Sequence, residues 1–113
     1  MWSDPDDIDK WLMNPRGAGW IFGANVTKKF NHINDLILIV RAHQLVNEGY
    51  QYHFAEKSLV TLWSAPNYCY RSGNLAAIME IPDSSADCPN FKTFNSAPES
   101  ANSKNFRNAL PYF

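Results

Sequence analysis

Three residues combine reactive side chains with positions beside predicted turns: Arg16, His43 and Tyr68. Gly17 and Gly19 follow Arg16 and let the backbone approach a ligand closely. The planar guanidinium of Arg16 can therefore grip a phosphate with two parallel hydrogen bonds. A solvated loop arginine is the alternative interpretation, and these residues alone leave both open.

His43 stands just after the apolar run Leu36–Val40. Such a continuous run predicts a buried strand that delivers Arg41 and His43 at its C-terminal end. Ligands and metals gather at strand C-termini in layered α/β proteins, and a neutral imidazole there can bind a transition metal. The alternative is a histidine hydrogen-bonded within a loop, because one histidine without a neighbouring Cys, Asp or His is a poor metal signature.

Tyr68 and Cys69 follow a Pro-Asn turn at a predicted strand exit. The phenol of Tyr68 can donate a hydrogen bond to a substrate oxygen. A nucleophilic cysteine needs a nearby base or a helix N-terminus to lower its pKa. The sequence around Cys69 has no phosphate-loop pattern, so we interpret Cys69 as structural.

Composition limits the class of protein. The chain has 113 residues, which suits one domain, and 45% are hydrophobic. A formal net charge of −1 gives no bulk attraction to nucleic acid or to an anionic membrane, so neither is an expected partner. The longest apolar run is too short to cross a bilayer. Cys69 and Cys88 are expected to be reduced thiols, which indicates a cytoplasmic or nuclear protein.

The elements that must position these residues form an α+β fold that is mostly β. Residues 2–24 are predicted to form an ordered loop region pinned by tryptophans. A short helix is expected to be capped by Asn25, with Val26, Phe30 and Ile33 on its apolar face. Further strands are predicted at 50–54, 59–63, 75–81 and 91–94, and a flexible tail from residue 96.

Several motifs together resemble a known family. They follow one another in this order: Trp2-Ser3-Asp4-Pro5, Arg16-Gly17-Ala18-Gly19, Arg41-Ala42-His43-Gln44, and Ser64-Ala65-Pro66-Asn67-Tyr68-Cys69-Tyr70. This string is similar to the C-terminal part of phosphoprotein phosphatase catalytic subunits. Cys69-Tyr70-Arg71 and Gly73-Asn74 resemble the protein phosphatase 2A-like group, and Trp20 with His32-Ile33-Asn34 is most similar to its protein phosphatase 6 branch.

The resemblance implies a metal-dependent hydrolase acting on phosphoserine and phosphothreonine in proteins. Two divalent metal ions, of the Mn, Fe or Zn type, activate water and neutralise charge on the phosphoryl oxygens in this family. By resemblance, His43 is a ligand of one metal, Arg16 binds the substrate phosphate, and Tyr68 borders the active site. Phosphoprotein substrates and regulatory or scaffold subunits are the implied partners.

The resemblance also implies boundaries. Residues 1–95 are expected to be the C-terminal portion of a calcineurin-like metallophosphatase domain, a mixed β-sandwich with flanking helices, and 96–113 a flexible tail. Met1 replaces an apolar strand residue of the family, and the family's N-terminal two-thirds carries the other metal ligands. One ligand cannot hold a metal pair, so we expect this chain alone to be inactive.

Two further departures concern inhibitors and regulation. Ser72 stands where the group usually has a cysteine, which removes a thiol reactive toward some inhibitors. The chain ends at Phe113, without the terminal leucine that the group methylates, which puts such regulation in doubt. A second hypothesis remains open: a non-catalytic short protein that binds phosphatase regulatory or scaffold subunits.

Overall fold

The computed structural model describes residues 2–84 and 88–98, which contain eight strands, one α-helix and one short 3-10 helix. In chain order the elements are β1 (Asp4–Pro5), β2 (Trp11–Met13), β3 (Trp20–Phe22), α1 (Ala24–Ile33), β4 (Ile39–Arg41), β5 (Tyr50–Tyr52), β6 (Leu59–Leu62), the 3-10 helix (Tyr68–Tyr70), β7 (Ala76–Glu80) and β8 (Asn90–Phe94). The prediction of a mostly β, α+β fold is confirmed.

The first sheet has the order β1-β3-β2, with β1 parallel and β2 antiparallel to β3. The prediction of an ordered loop over residues 2–24 was therefore wrong, although the segment is ordered. These strands are two or three residues long and form because they pair with each other across the hairpin. The hairpin presents Arg16 in the turn between β2 and β3.

The second sheet forms the core of the described chain, with the order β4-β6-β5. β6 lies in the middle, parallel to β4 and antiparallel to β5. Its residues Leu59, Val60 and Thr61 are fully buried. Because β4 and β6 run in parallel, their carboxyl ends meet at one edge of the sheet, and Arg41 lies at that edge.

β7 and β8 form an antiparallel hairpin that packs beside the core sheet. Backbone hydrogen bonds from Ala77 N to Trp63 O (2.8 Å) and from Leu75 N to Asn47 O (2.9 Å) attach it to the segments around β5 and β6. The ring of Phe91 stacks on Tyr50 at 4.0 Å between centroids. The predicted strands at 50–54, 59–63, 75–81 and 91–94 are confirmed, with ends that differ by one or two residues.

Helix α1 is confirmed, but its cap and its packing face differ from the prediction. Gly23, not Asn25, is the N-cap residue, and it makes no side-chain capping bond. Phe30 and Ile33 are exposed, whereas Thr27 and Asn31 are buried. The helix packs through a polar face: Thr27 Oγ1 donates to the carbonyl of its own N-cap residue Gly23, and Asn31 Nδ2 donates across to the carbonyl of Ser58.

The run Leu36–Val40 is not the fully buried strand that was predicted. The strand begins only at Ile39, and Ile37 is 84% exposed. The predicted tail from residue 96 lies mostly outside the described residues. Within the described ranges, no helix has the length and apolar character to cross a membrane.

Candidate active site

A buried carboxylate, Asp4, joins the first sheet to the core sheet. Asp4 Oδ2 accepts hydrogen bonds from Asn14 Nδ2 (2.7 Å) and from Arg16 Nη2. Asp4 Oδ1 accepts from Arg41 Nη2 at 3.2 Å. One carboxylate therefore holds two arginines from distant parts of the chain, and we call Asp4, Arg16 and Arg41 the arginine cluster.

The cluster keeps Asp4 ionised. Burial alone would raise the pKa of this carboxyl. The hydrogen bonds from Arg16 and Asn14, with the charges of Arg16 and Arg41, outweigh that effect and lower the pKa below its usual value. Asp4 thus stays negative at neutral pH and offsets part of the positive charge of its partners.

Arg16 is held in place at its backbone and at one amino group. Its N–H donates to Asn14 Oδ1 at 3.0 Å, so Asn14 contacts both Arg16 and Asp4. Gly17 and Gly19 have φ angles of 82° and 72°, the left-handed region that glycine adopts without strain. The Arg16 side chain remains 50% exposed, which leaves donors free to bind a ligand.

His43 sits just beyond β4 with a buried ring nitrogen that has no partner. Its Nε2 is inaccessible to solvent and makes no hydrogen bond in the described structure. Its φ is 82°, a strained conformation for a residue with a side chain. The indole of Trp2 packs edge-on against its ring at 4.7 Å. A buried imidazole nitrogen without a donor fits a metal ligand, since a metal would satisfy its lone pair.

The arginine cluster and His43 are neighbours through residues 2–4. Trp2 contacts the His43 ring, Arg41 Nη2 donates to the carbonyl of Ser3 at 3.0 Å, and Asp4 binds Arg16. The start of the chain therefore brings together two of the three residues predicted from the sequence.

Tyr68 belongs to a separate, strained loop. Asn67, Cys69 and Tyr70 all have positive φ angles, of 44°, 56° and 60°. The buried side chain of Asn74 supports this loop: its Oδ1 accepts from Tyr68 N (2.8 Å), and its Nδ2 donates to the carbonyl of Ala65 (2.9 Å). The Tyr68 ring packs edge-on against Trp63 at 4.9 Å.

An open groove lies beside Arg41 of the arginine cluster. It has a volume of about 520 Å³ and is lined by residues 40–42 and 62–65, at the carboxyl ends of β4 and β6. Arg41 and Trp63 both line it, and Trp63 contacts Tyr68. No hydrogen bond or ring contact among the described residues joins Tyr68 itself to Arg16 or His43.

The described residues do not build a complete metal site. Within 2–84 and 88–98, no three His, Cys, Asp or Glu side chains lie together in a way that would hold a metal ion. His43 therefore has no other potential metal ligand beside it among the described residues. Cys69 and Cys88 are not joined in a disulfide in the described structure.

Sequence reasoning singled out neither Asp4 nor Arg41 as a site residue. Both occur in the quoted motifs, and Arg41 was expected at the end of the strand. No local sequence pattern shows that Asp4 and Arg41 interact, because 37 residues separate them. An aspartate between a serine and a proline, in a segment otherwise rich in exposed charge, gives no sign of burial.

The fold is similar to that of a solved serine/threonine phosphatase. A structure from Saccharomyces cerevisiae, described as similar to the human phosphatase PP5, superposes with a TM-score of 0.74 and 28% identity. The match covers 89% of this chain and 34% of that chain. No model of a known protein family matches the sequence.

Curated relatives give the more particular assignment. The serine/threonine-protein phosphatase ppe1 of Schizosaccharomyces pombe is 60% identical over 99 residues, which cover 88% of this chain and 32% of the relative. The protein phosphatase 6 catalytic subunit of Drosophila melanogaster is 54% identical over 113 residues, covering 100% of this chain and 36% of the relative. The chain is homologous to a segment of serine/threonine protein phosphatases, among them protein phosphatase 6 catalytic subunits, and it spans about a third of their length. The resemblance noted from the motifs is confirmed.

Proposed function

We propose that this chain is the C-terminal portion of a protein serine/threonine phosphatase that hydrolyses phosphoserine and phosphothreonine in proteins. The observation that carries the proposal is the buried, unpartnered Nε2 of His43 beside the arginine cluster. A metal ligand next to a partly exposed, anchored arginine is the arrangement that phosphate hydrolysis requires. The homologous phosphatases support the reaction class.

Each site residue has a distinct role in this proposal. Arg16 binds the phosphoryl oxygens with the donors that Asp4 does not occupy. Asp4 and Asn14 fix the arginine before the substrate arrives, so little ordering is needed on binding. Tyr68, which contacts the groove residue Trp63, borders the active site and donates a hydrogen bond toward a bound oxygen.

His43 is the metal ligand contributed by the described residues. Two divalent cations of the Mn, Fe or Zn type, when bound, supply Lewis-acid activation of water and charge neutralisation at the phosphoryl group. Their other ligands come from outside the described residues. The described residues alone are therefore proposed to be inactive, and the activity belongs to the whole catalytic domain.

Regulatory or scaffold subunits are the proposed partners besides phosphoprotein substrates. Trp11, Met13, Trp20 and Phe22 are placed on one face of the β2–β3 hairpin by their register. Trp11 is 54% exposed, Met13 78% and Trp20 50%. An apolar surface of this kind suits contact with another protein.

We propose that the protein resides in the cytoplasm or nucleus, because free cysteines are typical of those reducing compartments.

The same exposed face favours the second candidate, a non-catalytic chain that binds phosphatase regulatory or scaffold subunits. In that case the chain would bind such a subunit while showing no dependence on Arg16 or His43. Met13→Lys would abolish binding, whereas Arg16→Ala would leave it unchanged. The catalytic proposal predicts the reverse pattern for activity.

A chimera tests the catalytic proposal. Residues 2–98 would replace the matching third of the Schizosaccharomyces pombe relative, and hydrolysis of a phosphoserine peptide would be measured with Mn²⁺. We expect an active enzyme whose kcat/KM falls about 100-fold on Arg16→Ala, because a charged group that stabilises the phosphoryl oxygens is lost. Lys28→Ala, at an exposed position of helix α1, is the control. An active chimera that tolerates Arg16→Ala would contradict the assigned role.

A further inference from the structure

His53 lies at the far end of a hydrogen-bonded chain that reaches the arginine cluster. Its Nε2 is 2.5 Å from Thr61 Oγ1, and Arg41 Nη1 donates to the same oxygen at 3.1 Å. Arg41 then binds Asp4 through Nη2, and Asp4 binds Arg16. Five side chains from five structural segments thus form one continuous path.

The hydrogen-bonding capacity of Thr61 fixes the tautomer of His53. The Thr61 side chain is fully buried, and its oxygen already accepts from Arg41. Its single hydroxyl proton needs an acceptor, and among the described contacts only His53 Nε2 provides one. His53 must therefore be neutral, with its proton on Nδ1, for all members of the path to be satisfied.

The charges around His53 favour the same state. Arg41, from β4, is the cation that faces it, and β6 contributes only uncharged side chains. In the turn between β5 and β6, Glu56 and Lys57 are exposed, and Lys57 Nζ lies over the Tyr52 ring at 5.6 Å. Burial, followed by the charge of Arg41, lowers the pKa of His53.

We propose that His53 is a positioning residue: as a neutral acceptor it holds the Thr61 hydroxyl, which holds Arg41 and, through Asp4, the phosphate-binding Arg16. The inference rests on the proposed role of Arg16. Protonation of Nε2 removes the acceptor and places a cation against Arg41. The hydrogen bond from Arg41 to Thr61 is then lost. Arg41 moves, and Arg16 moves with it because Asp4 binds both arginines.

NMR of the full chain tests the path without requiring catalysis. The ring nitrogens of His53 and the guanidinium signals of Arg16 and Arg41 would be followed from about pH 8 to about pH 5, the range in which histidine titrates. We expect His53 to carry its proton on Nδ1 at neutral pH. Both arginines should shift with the midpoint of His53.

Two variants separate the proposed positioning effect of His53 from non-specific effects of lowering the pH. His53→Gln keeps an acceptor that does not titrate, so both arginine shifts should become independent of pH. Thr61→Val preserves shape but removes the hydroxyl, so His53 should still titrate while Arg16 no longer responds. Arginine signals that stay flat while His53 titrates, or a proton on Nε2 at neutral pH, would overturn the proposal.

A sulfate titration distinguishes this inference from the proposed function. Sulfate mimics phosphate, and its charge does not change over this pH range. At neutral pH we expect it to shift the Arg16 signals in the wild type and in His53→Gln. If the Arg16 signals shift with the titration of His53 but do not shift with sulfate, the phosphate-binding role is refuted. If they shift with sulfate but not with the titration of His53, the positioning path is refuted.

Discussion

Arg41, the last residue of β4, donates a 3.2 Å hydrogen bond to Asp4, the first residue of β1, and so ties the N-terminal hairpin sheet to the core sheet. Both side chains are nearly buried, at 13% and 9% exposure. Asp4 also binds Arg16, so the same carboxylate serves the fold and the candidate site.

Removing the charge of Asp4 should destabilise the protein. Asp4→Asn keeps the shape but leaves Arg41 buried beside a second arginine without a counter-charge. We expect the free energy of unfolding to fall by about 3 kcal/mol, the scale for breaking a buried ion pair, measured by urea denaturation. Asp9→Asn, exposed on the loop before β2, is the matched control and should change little. Equal stability of the two variants would contradict the structural role of Asp4.

Gly23 has no room for a side chain. A Cβ at this position would lie 1.5 Å from the carbonyl oxygen of Ile8, a backbone atom that cannot move without displacing the loop before β2. Gly23→Ala should therefore cost at least about 3 kcal/mol of stability.

Gly17→Ala is the natural comparison. A Cβ there meets nothing within 4 Å, but its φ of 82° is strained for alanine. The expected cost is only about 1–2 kcal/mol. Thermal unfolding of both variants would check the order, and a milder effect at Gly23 than at Gly17 would be inconsistent with this packing.

Asn74 should control the order of the Tyr68 loop. Asn74→Ala removes the acceptor for Tyr68 N and the donor to Ala65 O, inside a buried site. We expect a loss of about 2–3 kcal/mol and faster amide exchange at Tyr68. Asn74→Asp retains the acceptor and should protect the Tyr68 amide better than alanine. Unchanged exchange in the alanine variant would mean that the loop holds its shape without Asn74.

Stability should decline in mild acid because of His53. Its pKa is lowered in the folded protein, so the unfolded chain takes up a proton more readily. The contribution of His53 is full above its unfolded pKa of about 6.5 and is lost as the pH falls from there toward the folded value. Urea denaturation at a series of pH values should show this slope, and His53→Gln should flatten it. A slope that persists in His53→Gln would assign the effect to other groups.

Strands β5, β6 and β7 could be predicted from the sequence, whereas the first sheet could not. Apolar runs and alternation identify β5, β6 and β7 because their own residues supply the buried surface. β1, β2 and β3 are too short to show a period, and they exist through pairing between residues far apart in the chain. The motif resemblance reached the right family without either kind of signal.

Helix α1 shows a different limit of prediction from the sequence. Its apolar residues Phe30 and Ile33 point outward, and Thr27 and Asn31 are buried, with Thr27 Oγ1 and Asn31 Nδ2 each donating a hydrogen bond to a backbone carbonyl. Periodicity assumes that the apolar face is the buried one, so it assigned the wrong face.

The candidate site was predicted in part: Arg16 and His43 were named, but Asp4 and Arg41, which position Arg16, depend on contacts that no local pattern reveals.

The most direct test of the central claim is the effect of His43→Ala on the phosphatase activity of the chimera carrying residues 2–98. If His43 Nε2 binds a catalytic metal, kcat should fall more than about 100-fold, with reduced metal content by elemental analysis. His32→Ala, an exposed histidine on α1, should leave both unchanged. Full activity and metal content in His43→Ala would contradict the assignment of His43 as a metal ligand.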